Sequence, residues 1–197
     1  MPRLPRSSSR DLALIATFAG VVAALGLVPA FVPPGFTVPV TAQSLGVMLA
    51  GAILGARRGF LAVALLLVLV AVGLPLLAGG RGGLGVFATP SVGFLLGWPV
   101  AAFVVGWLTE RGGPTYRLAW GIVANIIGGI VVLYAFGIVG MVAVLHIGLW
   151  HAVVLNGWFL AGDLVKAVLT AVIARGVHAA YPGLLGEPRR SARATAV

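Results

Sequence analysis

Long apolar stretches alternate with short polar or glycine- and proline-rich breaks along this 197-residue chain. A run of about 20 apolar residues crosses a bilayer once as a helix. Six stretches have this character: Leu12–Val32, Gln43–Gly55, Gly59–Leu77, Pro90–Leu108, a fifth from Leu118 past Tyr134, and Val154–Arg175. The pattern predicts an all-α integral membrane protein, built as a bundle of six transmembrane helices.

The breaks suggest how the chain is organised. A basic N-terminus, 1–11, precedes a membrane domain at 12–182 and a basic tail at 183–197. The first apolar stretch ends at Pro33-Pro34-Gly35, without a small-residue cleavage site, so we expect a retained helix and not a removed signal peptide. The apolar segment 137–153 is compatible with either a helix extension or a loop at the membrane edge.

The arginines orient the predicted bundle. With the N-terminus inside, eleven of the twelve arginines fall on the cytoplasmic side and only Arg81 falls outside. Cytoplasmic loops are enriched in basic residues, so the sequence predicts a multi-pass membrane protein with cytoplasmic N- and C-termini.

Composition narrows the class further. The chain is 60% hydrophobic and only 9% charged, with a mean hydropathy of +1.12, whereas soluble domains carry about 25% charged residues. The net charge of +9 sits in loops and tails, so nucleic-acid binding is not expected. Cysteine is absent and the three histidines are scattered. We therefore expect no disulfide, no metal site and no cofactor.

Asp163 and Lys166 are the acid and the lysine that lie within apolar spans. An ionised group at membrane depth costs roughly 2.5–3.5 kcal/mol on insertion scales, and the i, i+3 spacing puts both side chains on one helix face. With the predicted topology Asp163 lies about two turns below the outer surface and Lys166 one turn deeper, and both are reachable from outside. We interpret the pair as a ligand site; a structural ion pair or a proton relay are the alternatives.

The glycine-rich segment between the third and fourth spans is a second candidate. Its glycines could offer backbone N–H donors to a ligand or could form a flexible tether. No Lys-Ser or Lys-Thr follows, so it is not a nucleotide-binding loop. The candidates are Gly79, Gly80, Gly82 and Gly83.

Three further polar residues have two interpretations each. Thr41 and Gln43 are either polar residues at a helix end or part of the site. Asn125 either forms a hydrogen bond between helices or contacts the ligand. The five tryptophans lie near span ends and most of them are expected to be interfacial anchors, with Trp158 also close enough to Asp163 to line a pocket. Neither an enzyme's nucleophile–base spacing nor a nucleotide-binding signature is present in the sequence.

The first span carries a stripe of small residues. Such a stripe lets two helices approach closely in lipid, either within the bundle or with a separate membrane partner. The residues are Ala16, Ala19, Gly20, Ala23 and Ala24.

An ordered set of motifs resembles the biotin-specific, BioY-like S-components of energy-coupling-factor (ECF) transporters. The resemblance covers about Leu12 to Ala174. The motifs are Val38-Pro39-Val40-Thr41-Ala42-Gln43, Leu49-Ala50-Gly51, Gly73-Leu74-Pro75, Ala78 to Gly85, Gly93-Phe94-Leu95-Leu96-Gly97, Tyr134 with Gly137, and Phe159 with Gly162-Asp163 and Lys166. The family usually has Thr, Tyr and Pro where Ser91, Phe94 and Trp158 stand here.

The resemblance implies a membrane subunit that captures biotin from outside and works with a transmembrane coupling protein and two cytoplasmic ATPases. The small-residue stripe of the first span would then contact the coupling protein. Asp163 and Lys166 would bind the polar groups of biotin, with Tyr134 and an apolar lining from Phe159 beside them. The group also suggests a possible homo-oligomer. The alternative is a stand-alone channel or secondary carrier for another small solute.

Overall fold

The computed structural model describes residues 9–32, 38–113, 115–182 and 184, and this part of the chain is all-helical. Its six α-helices are α1 Ser9–Leu25, α2 Gln43–Leu54, α3 Ala56–Ala71, α4 Val92–Arg111, α5 Leu118–Leu145 and α6 Leu149–Ala180. The predicted all-α six-helix bundle is confirmed. The predicted domain ends at 1–8 and 185–197, and the turn Pro33-Pro34-Gly35, lie outside the described residues.

Helix α2 is the centre of the bundle. Eleven of its 12 residues are buried, and it packs against α1, α3, α4 and α6. Helices α4, α5 and α6 are long and apolar enough to cross a membrane, while α1, α2 and α3 have 17, 12 and 16 residues. The predicted six spans are therefore three long helices and three shorter ones.

One end of the bundle gathers the helix ends that the arginine distribution grouped together. The Arg58 guanidinium pairs with Asp11 at 2.9 Å and donates to the Leu184 carbonyl at 2.8 Å. The backbone N–H of Ala56 donates to the Glu110 carboxylate at 2.8 Å. The start of α1, the α2–α3 junction, the end of α4 and the end of α6 therefore share this end, which we name the basic end.

The opposite end carries the longer loops, and we name it the loop end. Gln43, the first residue of α2, bonds with its side chain to the Val22 and Leu76 carbonyls and to the Ala78 N–H, at 3.2, 3.0 and 2.9 Å. This single amide joins α1, α2 and the α3–α4 connection. The six helices therefore run alternately up and down, as the apolar pattern predicted.

Several predicted helix bounds need correction. Helix α1 ends at Leu25, not near Val32, because the chain turns at Gly26. A Cβ on Gly26 would lie 2.7 Å from the Leu76 carbonyl oxygen, so a larger residue does not fit there. Beyond the turn, Phe31 and Val40 exchange two backbone hydrogen bonds of 3.0 and 2.8 Å.

The α2–α3 connection is shorter than predicted. A single residue, Gly55, joins the two helices with φ 82°, a left-handed conformation that favours glycine. Arg57 and Arg58 therefore lie in the first turn of α3, not in a loop before it.

The segment 137–153 is helical on both sides of a tight turn. Helix α5 contains a π-helical segment, Ile127–Val132, and continues to Leu145. His146 ends it with φ 54°, and α6 begins at Leu149, five residues before the predicted Val154. Asp163 therefore lies about four turns from the start of α6, not two.

Candidate functional site

Asp163 and Lys166 form a buried ion pair on α6. The Lys166 Nζ lies 2.9 Å from Asp163 Oδ1, and the side chains are 16% and 7% exposed. Lys166 also donates to the Ser44 hydroxyl at 2.9 Å and to the Thr41 carbonyl at 2.8 Å. Because an ammonium group has three donors, all of them are used. The lysine ties α6 to the start of α2.

The Asp163 carboxylate is the centre of a wider network. Its Oδ1 accepts from Ser44 at 3.2 Å as well as from Lys166, and its Oδ2 accepts from the Tyr134 hydroxyl of α5 at 2.9 Å. An ionised carboxylate offers about four lone-pair sites, so this one retains capacity for a further donor. Helices α2, α5 and α6 meet at this carboxylate.

These groups line a cavity of about 50 Å³ under the connections at the loop end. The polar floor is Ser44, Asp163 and Lys166. The apolar wall is formed by Val38, Phe94, Leu95, Trp98, Leu133 and Phe159. Phe94 and Phe159 face each other with ring centroids 5.5 Å apart. A cluster of charged groups on one side and aromatic rings on the other is typical of a small-molecule site.

Arg81 adds a second cation to the lining, from the α3–α4 connection. Its Nε donates to the Ala78 carbonyl at 3.2 Å, and its Nη1 lies 3.5 Å from the Ser91 hydroxyl. Partial burial lowers the pKa of the guanidinium from its usual value, although it stays charged at neutral pH. Within the described residues Arg81 has no ion-pair partner, so its charge is available to an anion.

The structure brings five of the predicted substrate-binding residues into the cavity lining: Thr41, Gln43, Phe159, Asp163 and Lys166. Tyr134 reaches the site through its bond to Asp163. Thr41 contributes its backbone carbonyl to Lys166. Both N–H donors of the Gln43 side chain are engaged by backbone carbonyls, so this amide fastens the loops and has no donor left for a ligand.

Asn125 and the predicted glycines do not line the cavity. Asn125 is fully buried and donates to the Ala167 carbonyl at 3.3 Å. This bond joins α5 to α6, as the interhelical interpretation expects. Gly79 and Gly80 form a turn with φ 78° and 69°, closed by backbone hydrogen bonds between Leu77 and Arg81. The segment forms a folded hairpin that carries Arg81 into the lining of the cavity. Whether its glycines contact a ligand stays a prediction.

Sequence reasoning missed several lining residues. Ser44 directly follows Gln43 and lies three residues after Thr41. This cluster of polar residues at the start of the second span could have indicated that Ser44 belongs to the site. Trp98 is 5% exposed and lines the cavity, so it is not one of the interfacial anchors. Trp158 is 61% exposed and its neighbour Phe159 takes the position in the lining.

The small residues of α1 divide between two surfaces. Ala16, Gly20 and Ala24 are exposed, and nothing lies within 4 Å of a Cβ built on Gly20. Ala23 is half-buried, while Ala19 is 4% exposed and packs in the core. Ala19 therefore does not belong to an outward face.

Fold and site together define a helical membrane protein with a charged internal cavity lined by loops at one end, an arrangement suited to binding a small solute. The chain matches the BioY family over residues 1–183. A biotin transporter BioY of Rhizobium etli is 50% identical over 181 residues, which are 89% of this chain and 96% of that protein. The BioY of Rhodobacter capsulatus is 50% identical over 186 residues, 89% and 97% of the two chains.

A solved structure agrees with these relatives. The crystal structure of the S-component for biotin from an ECF-type ABC transporter matches with a TM-score of 0.83 and 28% identity, over 90% of this chain and 95% of that one. The chain therefore belongs to the BioY family. Its family is one of membrane transporters and not of enzymes.

Proposed function

We propose that this chain is the biotin-capturing S-component of an ECF-type importer. One observation supports the proposal most directly: the Asp163–Lys166–Ser44 network lies in an aromatic-walled cavity of a chain that belongs to the BioY family. Biotin combines a ureido group, a fused apolar ring system and a carboxylate at the end of a valeryl chain. The cavity contains a complementary group for each part.

The ureido group is the best match for the polar floor. Asp163 can accept a hydrogen bond from a ureido N–H, and Lys166 or Ser44 can donate to the ureido carbonyl after releasing one of its present contacts. Bonds to charged partners are shorter and stronger than neutral ones, especially where water is excluded. The rings would lie against Phe94, Phe159 and their apolar neighbours.

The carboxylate would then extend towards Arg81. This guanidinium belongs to the loop-end connection, whereas Asp163 and Lys166 lie within α6. A ligand that spans the two would present its ring system to the floor and its anionic end to the entrance. The glycine-rich hairpin serves this contact by holding Arg81 in position.

Ligand entry requires the loops to move. Drug-sized ligands occupy pockets of about 300–1,000 Å³, whereas this cavity measures about 50 Å³. At the loop end its lining comes from two connections, with Val38, Pro39 and Thr41 from the segment before α2 and Arg81 and Ser91 from the α3–α4 connection. We expect these two segments to separate as biotin enters, while the helices that hold Asp163 stay packed.

We propose that the basic end faces the cytoplasm and the loop end faces outward, in the inner membrane of a bacterium with both termini inside. Arg10, Arg57 and Arg117 belong to the basic end, and Arg81 belongs to the loop end. This distribution follows the positive-inside rule. Biotin would therefore reach the cavity from the exterior, without crossing the whole bundle.

Transport would need partner chains: a transmembrane coupling protein and two cytoplasmic ATPases. The exposed small residues Ala16, Gly20 and Ala24 are the proposed docking face of α1, since small side chains let helices approach closely in lipid. A Gly20→Leu variant should lose co-purification with the coupling protein while still binding biotin. Gly162→Leu, at an equally open glycine on α6, is the matched control.

Calorimetric titration of the purified, detergent-solubilised chain with biotin tests the proposal. We expect one site per chain and a dissociation constant of micromolar or below. Desthiobiotin retains the ureido group and should bind, whereas biotin methyl ester should bind more weakly because it lacks the charge that Arg81 recognises. Absence of biotin binding, together with solute flux in liposomes that contain this chain alone, would favour a stand-alone carrier.

A further inference from the structure

A second, separate groove lies at the basic end, between the end of α4 and the start of α5. It measures about 390 Å³ and is lined by Arg111, Gly112, Arg117, Ala119, Trp120 and Val123. None of these residues lines the cavity at the loop end. The groove combines two cations with an aromatic ring and an aliphatic side chain.

The two guanidinium groups are available to an anion. Arg111 and Arg117 are exposed, and neither forms an ion pair with any residue that the structure describes. Arg111 lies over Trp107, with its Cζ 3.7 Å from the ring centroid, and this contact holds the side chain against α4. Two arginines at one groove favour a phosphate group, whose oxygens accept paired N–H bonds.

Trp120 forms a fixed wall of the groove. Its Nε1 donates to the Leu108 carbonyl at 2.7 Å, which satisfies one of the free carbonyls at the end of α4. A Cβ on Gly112 would lie 2.8 Å from the same nitrogen, so glycine is what allows the ring to lie this close. The indole ring therefore gives the groove one wall of fixed position.

An apolar stripe leads from the groove along the outer face of α5. Trp120, Val123, Ile127 and Val131 follow each other at helical spacing and are 38%, 42%, 37% and 60% exposed. On α4, Phe103 and Trp107 are also exposed, at 43% and 38%. A free phosphate ion would make no favourable contact with this apolar surface, whereas the acyl chains of a phospholipid would cover it.

We propose that this groove binds the headgroup of an anionic phospholipid, with its phosphate between Arg111 and Arg117 and an acyl chain along the α5 stripe. Basic pockets between transmembrane helices on the cytoplasmic side commonly select anionic headgroups. The inference goes beyond biotin capture and rests only on the proposed orientation, with the basic end at the cytoplasm. The lipid would fix the α4–α5 end at the membrane surface.

Native mass spectrometry of the purified chain tests this assignment. The protein is titrated with phosphatidylglycerol or with phosphatidylcholine of the same acyl chains. We expect a preference for phosphatidylglycerol of about tenfold, and its loss in an R111Q/R117Q variant, since about 1.4 kcal/mol corresponds to tenfold in binding. R57Q is the matched control, because Arg57 is exposed at the same end but lies outside the groove.

A second readout keeps the arginines intact. Phosphatidylglycerol with brominated acyl chains should quench tryptophan fluorescence more than brominated phosphatidylcholine does, and W120F should remove the excess. Millimolar inorganic phosphate should not displace the lipid. Three results would overturn the lipid assignment. They are equal retention of both lipids, displacement of the lipid by phosphate, and an R111Q/R117Q defect confined to association with the coupling protein.

Biotin titration of the same variants separates this inference from the proposed function. R111Q/R117Q should bind biotin as the wild type does, because the groove and the cavity lie at opposite ends of the bundle. A wild-type chain that fails to bind biotin but keeps the lipid preference would contradict the proposed function and leave the groove assignment standing.

Discussion

The Ser44 hydroxyl on α2 and the Asp163 carboxylate on α6 lie 3.2 Å apart, although 119 positions separate them along the chain. Ser44 also accepts a hydrogen bond from Lys166 at 2.9 Å, so the serine bridges both members of the ion pair. A buried pair with its remaining sites hydrogen-bonded avoids the penalty of an isolated charge. The network therefore gives both members of the ion pair hydrogen-bond partners inside an apolar bundle.

Removal of one charge of the pair should lower the stability of the protein more than removal of both charges. Asp163→Asn leaves Lys166 without its counter-ion, and Lys166→Met leaves the carboxylate uncompensated. Each should lower biotin affinity at least tenfold, about 1.4 kcal/mol or more, because the lost contacts are charged. Thermal unfolding should show both single variants less stable than the Asp163→Asn/Lys166→Met double variant. Unchanged biotin affinity in both single variants would remove the pair from the site.

Ser44→Ala tests the residue that the sequence did not reveal. The substitution removes one bond to Asp163 and one to Lys166 but keeps both charges, so we expect a loss of roughly 1 kcal/mol in biotin binding, about fivefold. Thr41→Ala is the matched control, since Lys166 bonds the Thr41 backbone carbonyl and not its side chain. An equal or larger loss in Thr41→Ala would show that the serine has no special role.

Gln43→Met should act on stability. The methionine has a similar volume but loses three hydrogen bonds to buried backbone groups at the loop end. At about 1 kcal/mol for each bond, we expect a loss of roughly 3 kcal/mol in the free energy of unfolding. Denaturation followed by circular dichroism measures this. Gln43→Glu retains the acceptor for the Ala78 N–H and should be intermediate, provided the carboxyl group is protonated.

Gly106→Ala should disrupt the packing of α4 against the α2–α3 junction. A Cβ on Gly106 would lie 2.6 Å from the Gly55 carbonyl oxygen, a backbone atom that cannot rotate away. Overpacking of this kind costs about 1–3 kcal/mol. Gly162→Ala, where nothing lies within 4 Å of the new Cβ, should be neutral or stabilising because alanine favours helix. Equal melting temperatures for the two variants would contradict this.

Tyr116→Phe should change the pH dependence of stability. Burial raises the pKa of the Tyr116 hydroxyl to about 12, from 10, and the hydroxyl has no hydrogen-bond partner among the described residues. The unfolded chain thus loses this proton at lower pH than the folded chain, so stability falls as pH rises from about 10 to 12. The phenylalanine variant should be at least as stable at pH 7 and should lose less between these values, as thermal unfolding would show.

The helices were predictable because their apolar stretches are long and the breaks are rich in glycine, proline and arginine. The ends of the helices were harder to predict. Helix α1 ends before Gly26, where the Leu76 carbonyl packs against the glycine, and such a contact between distant segments cannot be recognised in the sequence. Asp163 and Lys166 stood out because charges are rare in apolar spans. Arg81 and Trp98 did not stand out in the sequence. Arg81 reaches the cavity because the hairpin folds, and Trp98 because of the face that α4 turns towards it.

The short α2 sets how far a solute travels before the protein must move. Its 12 residues span about 18 Å, against a hydrocarbon thickness of about 30 Å. In the proposed orientation, with the Gly55 junction at the inner boundary, the first turn of α2 would lie about 12 Å beneath the outer one. Under the proposed function, a solute that reaches Ser44 would already have descended more than a third of the bilayer by diffusion, and only the remaining distance would need energy from ATP.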